Sequence, residues 1–177
     1  GASWLGGAVG KMYSGSVDGL TLSGEITVQG RRAVGGVIGQ ILSNKEVSLS
    51  RIRMEGTADI SQAQANHGSG ENRGFYNAAG LIAGLCEVNY PVSLEGIELH
   101  GIPAGAGETG AGDGLLKVKN GSRCLSYVGG FLVGSLYKSG VSNGNTLTLG
   151  AVTVENGRLL TDETGSAGEN PVCYYGG

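Results

Sequence analysis

The sequence predicts an all-β protein, a parallel β-solenoid (β-helix) of about four glycine-pair repeats with polar loops inserted on one side. Three observations point there. A short glycine-rich segment recurs four times along the 177 residues. Each copy is followed by a block whose apolar residues alternate, skip and alternate again, which is strand periodicity interrupted by a corner. Glycine reaches 36 residues, about three times its ordinary share, without the every-third-position period of collagen. Since 40% of the residues are apolar, disorder is excluded, and the glycine must serve a folded chain dense in turns.

The first unit, about residues 4–32, opens with "LGGAVGKMY" and its pair Gly6 and Gly7. It continues into "LTLSGEITV", where Leu20, Leu22, Ile26 and Val28 carry the apolar pattern with one extra residue. The second unit, 33–77, opens with "VGGVIGQIL" at Gly35 and Gly36 and runs into "VSLSRIRM". There Val47 and Leu49 share one face of a strand, a jump of three reaches Ile52, and alternation resumes at Met54. The third unit, 78–126, opens with "AAGLIAGLCE", with Ala79 in place of the first glycine before Gly80. Its block "VSLEGIEL" repeats the pattern at Val92, Leu94, Ile97 and Leu99. The fourth unit, 127–174, opens with "VGGFLVGSLY" at Gly129 and Gly130 and carries Leu147, Leu149, Val152 and Val154 in "LTLGAVTV". Tyr175, Gly176 and Gly177 read as the start of a fifth unit.

Two short strands that keep one inward face across a bend produce this second block. A helix does not, because residues two apart point to different sides of its axis. Glycine pairs suit sharp corners between strands stacked about 4.8 Å apart, where positive φ and close backbone approach are needed. Two residues beyond the last glycine of each segment stand Met12, Ile41, Cys86 and Leu136, an expected inward stack. The next position holds Tyr13, Leu42, Glu87 and Tyr137, a mixture expected at the rim.

Polar, glycine-rich stretches separate the units: "SQAQANHGSGENRG", "IPAGAGETGAGDG" and "TDETGSAGEN". All three follow the second block, so they are expected to emerge on the same side. Within this zone "LLKVKNG" predicts a further strand closed by an Asn-Gly turn, and Asn143 and Asn156 begin others. "DISQAQAN" is the one stretch suited to a helical turn.

The motif of two glycines, two apolar residues and a third glycine in "GGAVG" and "GGVIG" resembles the GLUG repeat of bacterial surface proteins, including the region beside the protease domain of some immunoglobulin-A-cleaving peptidases. Copies three and four, "AGLIAG" and "GGFLVG", carry one extra apolar residue before the last glycine. The resemblance implies an extracellular or cell-surface repeat, mostly non-catalytic, acting as stalk or adhesin. It transfers no catalytic residue.

The chemical candidates are few. "GAGETG", Gly105 to Gly110, has dinucleotide-loop spacing, but turn and strand text follows it where a helix N-terminus would be needed. Glu108, Asp113, Asp162 and Glu163 read as a solvated acidic face, without the D-x-D-x-D-G loop of a calcium site. His67 and His100 lie in different blocks without cysteine or aspartate at ligand spacing, and surface histidines are expected. No serine sits in a nucleophile-elbow context. No cofactor, metal or catalytic residue is therefore expected. Cys86 is expected as a buried free thiol in the apolar stack, whereas Cys124 and Cys173 precede successive glycine pairs and are candidates for a disulfide. Asn120, Gly121 and Ser122 fit a glycosylation sequon.

A net charge of -3 without a basic run excludes nucleic-acid binding through counterion release. No apolar run is long enough for a membrane span. Gly1 in place of Met is expected of a processed mature form or an excised piece. Two functional classes stay open. One is a non-catalytic extracellular stalk, adhesin or filament subunit, stacking end to end on another copy or on flanking repeats, with a surface glycan or host protein as further partner. The other is a carbohydrate-binding or polysaccharide-degrading β-helix with its site in the inserted loops.

Overall fold

A computed structural model describes residues 4–30, 32–62, 78–102, 116–120, 126–130, 132–137, 145–161 and 172–176. The chain makes four similar passages through three sheets. The first is β1 (Trp4–Gly6), β2 (Val9–Met12), β3 (Gly15–Asp18) and β4 (Thr21–Gly30). The second is β5 (Ala33–Gly35), β6 (Ile38–Leu42) and β7 (Val47–Gln62). The third is β8 (Ala78–Gly80), β9 (Ala83–Glu87), β10 (Val92–Gly101) and β11 (Leu116–Asn120). The fourth is β12 (Ser126–Gly130), β13 (Val133–Tyr137), β14 (Leu147–Leu149), β15 (Val152–Glu155) and β16 (Gly157–Thr161), and β17 (Val172–Gly176) follows.

Sheet A has the order β1-β5-β8-β12-β17, and sheet B β13-β9-β6-β2. Sheet C runs β14-β10-β7-β11-β16, with β15 also on β10 and with β3 and β4 on β7. Every pairing among the described residues is parallel. The described residues contain strands and turns and no helix, so the all-β expectation holds.

Sheet C follows the apolar pattern residue by residue. Val47, Leu49, Ile52 and Met54 of β7 stand opposite Val92, Leu94, Ile97 and Leu99 of β10. Those in turn face Leu147 and Leu149 of β14 and Val152 and Val154 of β15. The skipped residue is a left-handed corner, with Gly19 at φ 71°, Arg51 at φ 53° and Gly96 at φ 61°. A second corner follows at Gly24 (φ 91°), Gly56 (φ 111°) and Asn156 (φ 52°). Asn156 holds its corner by donating Nδ2–H to the carbonyl of Gly101, 3.0 Å away.

These corners correct the reading of the first unit. Gly15 and Val17 oppose Val47 and Leu49, while Leu22, Ile26 and Val28 oppose Met54, Ala58 and Ile60. Alternating Leu20 and Leu22 fit either pair of seats, and the positive φ of Gly19 and Gly24 decides between them. The strand expected in "LLKVKNG" is β11, whose Leu116 opposes Ala58 while Gly101 opposes Gly56. Among the described residues the third passage follows β7 as far as Gly101, and the same track is taken up again from Leu116. Asp59–Gln62, offered for a helical turn, ends β7 as strand, and the rest of that stretch lies outside the described residues.

Glycine positions sheets A and B. Gly6 opposes Gly35, Gly35 opposes Gly80, and Gly130 opposes Gly176. Val128 and Gly129 face Ala78 and Ala79, which sets Gly130 in line with Gly80. The units thus align on the second residue of the Ala79–Gly80 and Gly129–Gly130 pairs, opposite Gly6 and Gly35. That alignment removes the extra apolar residue expected in copies three and four, because Gly10, Gly39, Gly84 and Gly134 then form a second column at constant spacing. Gly7 and Gly36 lie in the turn between the sheets, where Gly7 N–H donates to Gly36 O at 3.2 Å.

The two columns touch each other. A Cβ on Gly6 would meet Gly39 N at 2.6 Å, one on Gly35 would meet Gly84 N at 2.9 Å, and one on Gly80 would meet Gly134 N at 2.5 Å. Strands β1, β5 and β8 therefore rest, backbone to backbone, against the sheet B strand of the following passage as well as that of their own, where Val9 O, Ile38 O and Ala83 O stand nearest. Ile38, Ile41, Leu49, Ile52, Met54, Leu94, Ile97 and Leu99 fill the core and are buried. Each such side chain contributes about 1.5–3 kcal/mol.

Met12, Ile41 and Cys86 form the expected inward stack and are buried. Leu136 shares their column opposite Cys86 but is 59% exposed, because β13 is the last strand of sheet B among the described residues. Glu87, expected at the rim, is buried beside the turn after β9. Ser43 anchors that turn: its Oγ accepts from Asn89 N–H and Tyr90 N–H, both at 2.9 Å, and can donate to Tyr90 O at 3.0 Å.

Replacing Gly84 with Ala places a methyl 2.7 Å from Ala33 C and 2.8 Å from Gly39 O. Chemical denaturation is expected to show a loss of about 3 kcal/mol or more. Gly24→Ala, with nothing within 4 Å, should lose only the left-handed penalty of about 1–2 kcal/mol. Ser43→Ala strands two turn amides and should cost about 2 kcal/mol in the same assay.

Candidate functional site: the charged ladder and the open sheet edge

Strand alternation that turns Ile52, Met54, Ile97 and Leu99 inward sends Arg53, Glu55, Glu98 and His100 outward. Parallel register then stacks Arg53 beside Glu98 and Glu55 beside His100, with Glu155 of β15 on the far side of His100. Arg53 Nε donates to Glu55, and Arg53 Nη1 reaches Glu98 Oε2 at 3.2 Å. His100 Nδ1 lies 2.9 Å from Glu155 Oε2 and its Nε2 3.7 Å from Glu98 Oε2. The hydrogen bond to Glu155 is the main cause that raises the His100 pKa above its ordinary 6.5, with burial and Arg53 opposing. The result is a ladder of alternating charge across β7, β10 and β15.

A second exposed cluster sits at the first corner. Arg51 Nε donates to Asp18 Oδ1 at 2.8 Å, its Nη2 pairs with Asp18 Oδ2, and Ser50 Oγ donates to Asp18 Oδ1 at 2.7 Å. These bonds lower the Asp18 pKa to about 2, the Arg51 hydrogen bond contributing most. Arg51 stands in the corner column where Gly19 and Gly96 stand in neighbouring passages, and its guanidinium is tied to the passage before it.

Among the described residues no strand lies beyond β13 in sheet B or beyond β14 and β15 on β10. Leu149 is 52% and Val154 43% exposed, although their column neighbours Leu94 and Leu99 are buried. With Leu136 they make an apolar edge along β13, β14 and β15. At the opposite edge Leu5, Val9, Val17, Leu20, Leu22 and Ile26 pack half-buried against the core. Lys11 there lies with Nζ 4.6 Å from the Trp4 ring centre and 4.9 Å from that of Tyr13.

No protein-family model, curated protein or solved structure matches the chain.

The sites expected from sequence divide into three groups. Gly6, Gly35, Gly80, Gly130 and Gly176 come together in one column, and Gly129 stands beside it, opposite Ala79 and Tyr175. Cys86 is a buried free thiol whose pKa burial pushes up to about 12, which makes it inert. Cys173 lies in β17 opposite Tyr127, while Cys124 lies outside the described residues, as do Gly177, His67, Glu108, Asp113, Asp162, Glu163 and the "GAGETG" segment. Among the described residues no group of His, Cys, Asp and Glu could hold a metal, and no helix is long and apolar enough to cross a membrane. Sequence reasoning left His100 as a surface histidine and missed the ladder. Only the register of units separated by unequal insertions could have revealed it.

Because the folded pKa of His100 is raised, its contribution is fully present below pH 6.5 and is lost as pH rises through the folded value. Thermal melts across that window should show falling stability for the native chain and no such step for His100→Gln. Asp18 acts in the opposite sense: its contribution is present above the ordinary 3.8 and disappears as pH falls toward 2.

Proposed function

We propose that the chain is a β-solenoid segment of an extracellular structural or adhesive protein, non-catalytic, which stacks end to end as a stalk or filament element. The solenoid reading is supported by the fixed order in which the chain visits sheets A, B and C, always through parallel pairing. The observation that carries the stacking is the exposure of Leu136, Leu149 and Val154, whose column neighbours one passage earlier, Cys86, Leu94 and Leu99, are buried. Each passage covers the inward side chains of the passage before it, so these last side chains have the same need for a covering layer. Strand edges in this state pair readily with further strands. Cell-surface placement and the adhesive role rest on the resemblance to GLUG repeats.

Sedimentation or size-exclusion chromatography over a concentration series, followed by negative-stain imaging, tests the proposal. Concentration-dependent oligomers lengthening into rods are expected. A monodisperse monomer at all concentrations would count against stacking. Release of reducing ends from acidic polysaccharides by the purified chain would favour the degradative alternative instead.

A further inference from the structure

The described residues expose two aromatic side chains by nearly half, Tyr13 at 47% and Tyr90 at 49%. Both stand where the chain passes from sheet B to sheet C, Tyr13 after β2 and Tyr90 before β10. Both are also fixed to the turn of the passage between them. Asn44 N–H donates to Tyr13 O at 2.9 Å, and Ser43 Oγ accepts from Tyr90 N–H at 2.9 Å. Two strand spacings, about 10 Å, separate the outer turns. The tyrosines therefore ride on a hydrogen-bonded frame, which lowers the ordering cost of binding.

Tyr13 belongs to a wider cluster of rings and polar atoms. Lys11 holds its ammonium against both the Trp4 and Tyr13 rings, and it stands opposite Gln40 in sheet B. Trp4 Nε1 and Gln40 Oε1 are each buried without a hydrogen-bond partner, and Gln40 as a whole is only 2% exposed. Buried polar atoms left in this state are uncommon. An indole N–H needs an acceptor and an amide oxygen needs a donor, and a hydroxyl is both. Aromatic faces for the C–H side of a sugar ring, beside unmatched polar atoms for its hydroxyls, are the chemistry of a saccharide site. The turn between the tyrosines carries Lys45 next to Glu46, so no net charge there selects an ionised sugar.

The geometry points to this corner as a binding site for an extended, neutral, ribbon-like glycan of the cellulose type, which rests on the adhesive reading and gives that role its partner. The glycan lies across successive turns, one sugar face on Tyr13 and a later one on Tyr90. Hydroxyls of the first sugar draw the Lys11 ammonium off the rings and meet Trp4 Nε1 and Gln40 Oε1. A flat ribbon presents like faces at regular intervals along a line, as the passages present their turns. A coiled glycan turns its later faces away.

Isothermal titration calorimetry of the full chain tests the site, with cellohexaose as the probe and maltohexaose as its coiled counterpart. Saturable binding of cellohexaose is expected, about tenfold tighter than that of maltohexaose. Tyr13→Ala and Tyr90→Ala should each weaken it about tenfold, while Tyr90→Phe keeps the ring and binds as the native chain does. Because Tyr90 is exposed, its variants should melt at the native temperature. No binding of cellohexaose, equal binding of maltohexaose, or native affinity in Tyr90→Ala would each overturn the site. The titration is independent of assembly. Rods without cellohexaose binding would remove the glycan site and leave end-to-end stacking standing, whereas binding by a persistent monomer would do the reverse.

Discussion

The whole arrangement depends on one contact: the backbone of a sheet A strand lying directly against sheet B backbone, that of its own passage and that of the passage after it. A side chain on either column would collide with main-chain nitrogen or oxygen, as the Gly35 and Gly84 positions show. Hydrophobic burial alone does not create this contact, because glycine has no apolar side chain to bury. It arises because the turn between β5 and β6 is tight and is itself hydrogen-bonded to the turns beside it, through Gly36 N–H to Gly80 O and Val37 N–H to Ile82 O. With that corner fixed, the remaining length of each passage forms sheet C, and Val47, Leu49, Ile52 and Met54 are carried to the same inward seats as their counterparts.

The same repetition explains the outer surface. Strands held in parallel register stack equivalent residues, so any charge repeated in one column would repel its neighbour. The chain alternates instead: Arg53 lies beside Glu98, and Glu55 and Glu155 flank His100. Exposed pairs of this kind add little to stability, but they distinguish the native register from one slipped by a residue. The left-handed Arg51 illustrates a related compromise, since a non-glycine residue in the corner column is accompanied by a bidentate hold on Asp18.

Much of sheet C was legible in the sequence because the large insertions fall outside its strands. Val92, Leu94, Ile97 and Leu99 repeat the second unit without a gap, and Asn156, expected to begin a turn, stands at the second corner with φ 52°. The glycine columns were legible only as pairs. In "AAG" and "VGG" either member of the pair can be matched by eye, and only the strand register shows that Gly80 and Gly130 are the ones in line. Leu136 looked like its column mates because a periodic pattern contains no information about which copy is last in a sheet. The ladder is implicit in that same register but hidden in any one unit: Arg53, Glu98 and His100 occupy ordinary outward positions, and their partnership exists only across strands.

The central claim is the glycine-to-glycine contact between successive passages, and nuclear Overhauser effects measure it most directly. The hydrogen of Gly35 that takes the place of a Cβ lies against the Ile38 carbonyl of its own passage and also faces Gly84 N, which such a Cβ would approach to 2.9 Å. Strong cross-peaks are predicted from a Gly35 Hα to the Gly84 amide, from Gly6 to Gly39, and from Gly80 to Gly134. Their absence, or cross-peaks from Gly35 to a strand of its own passage in their place, would contradict the account.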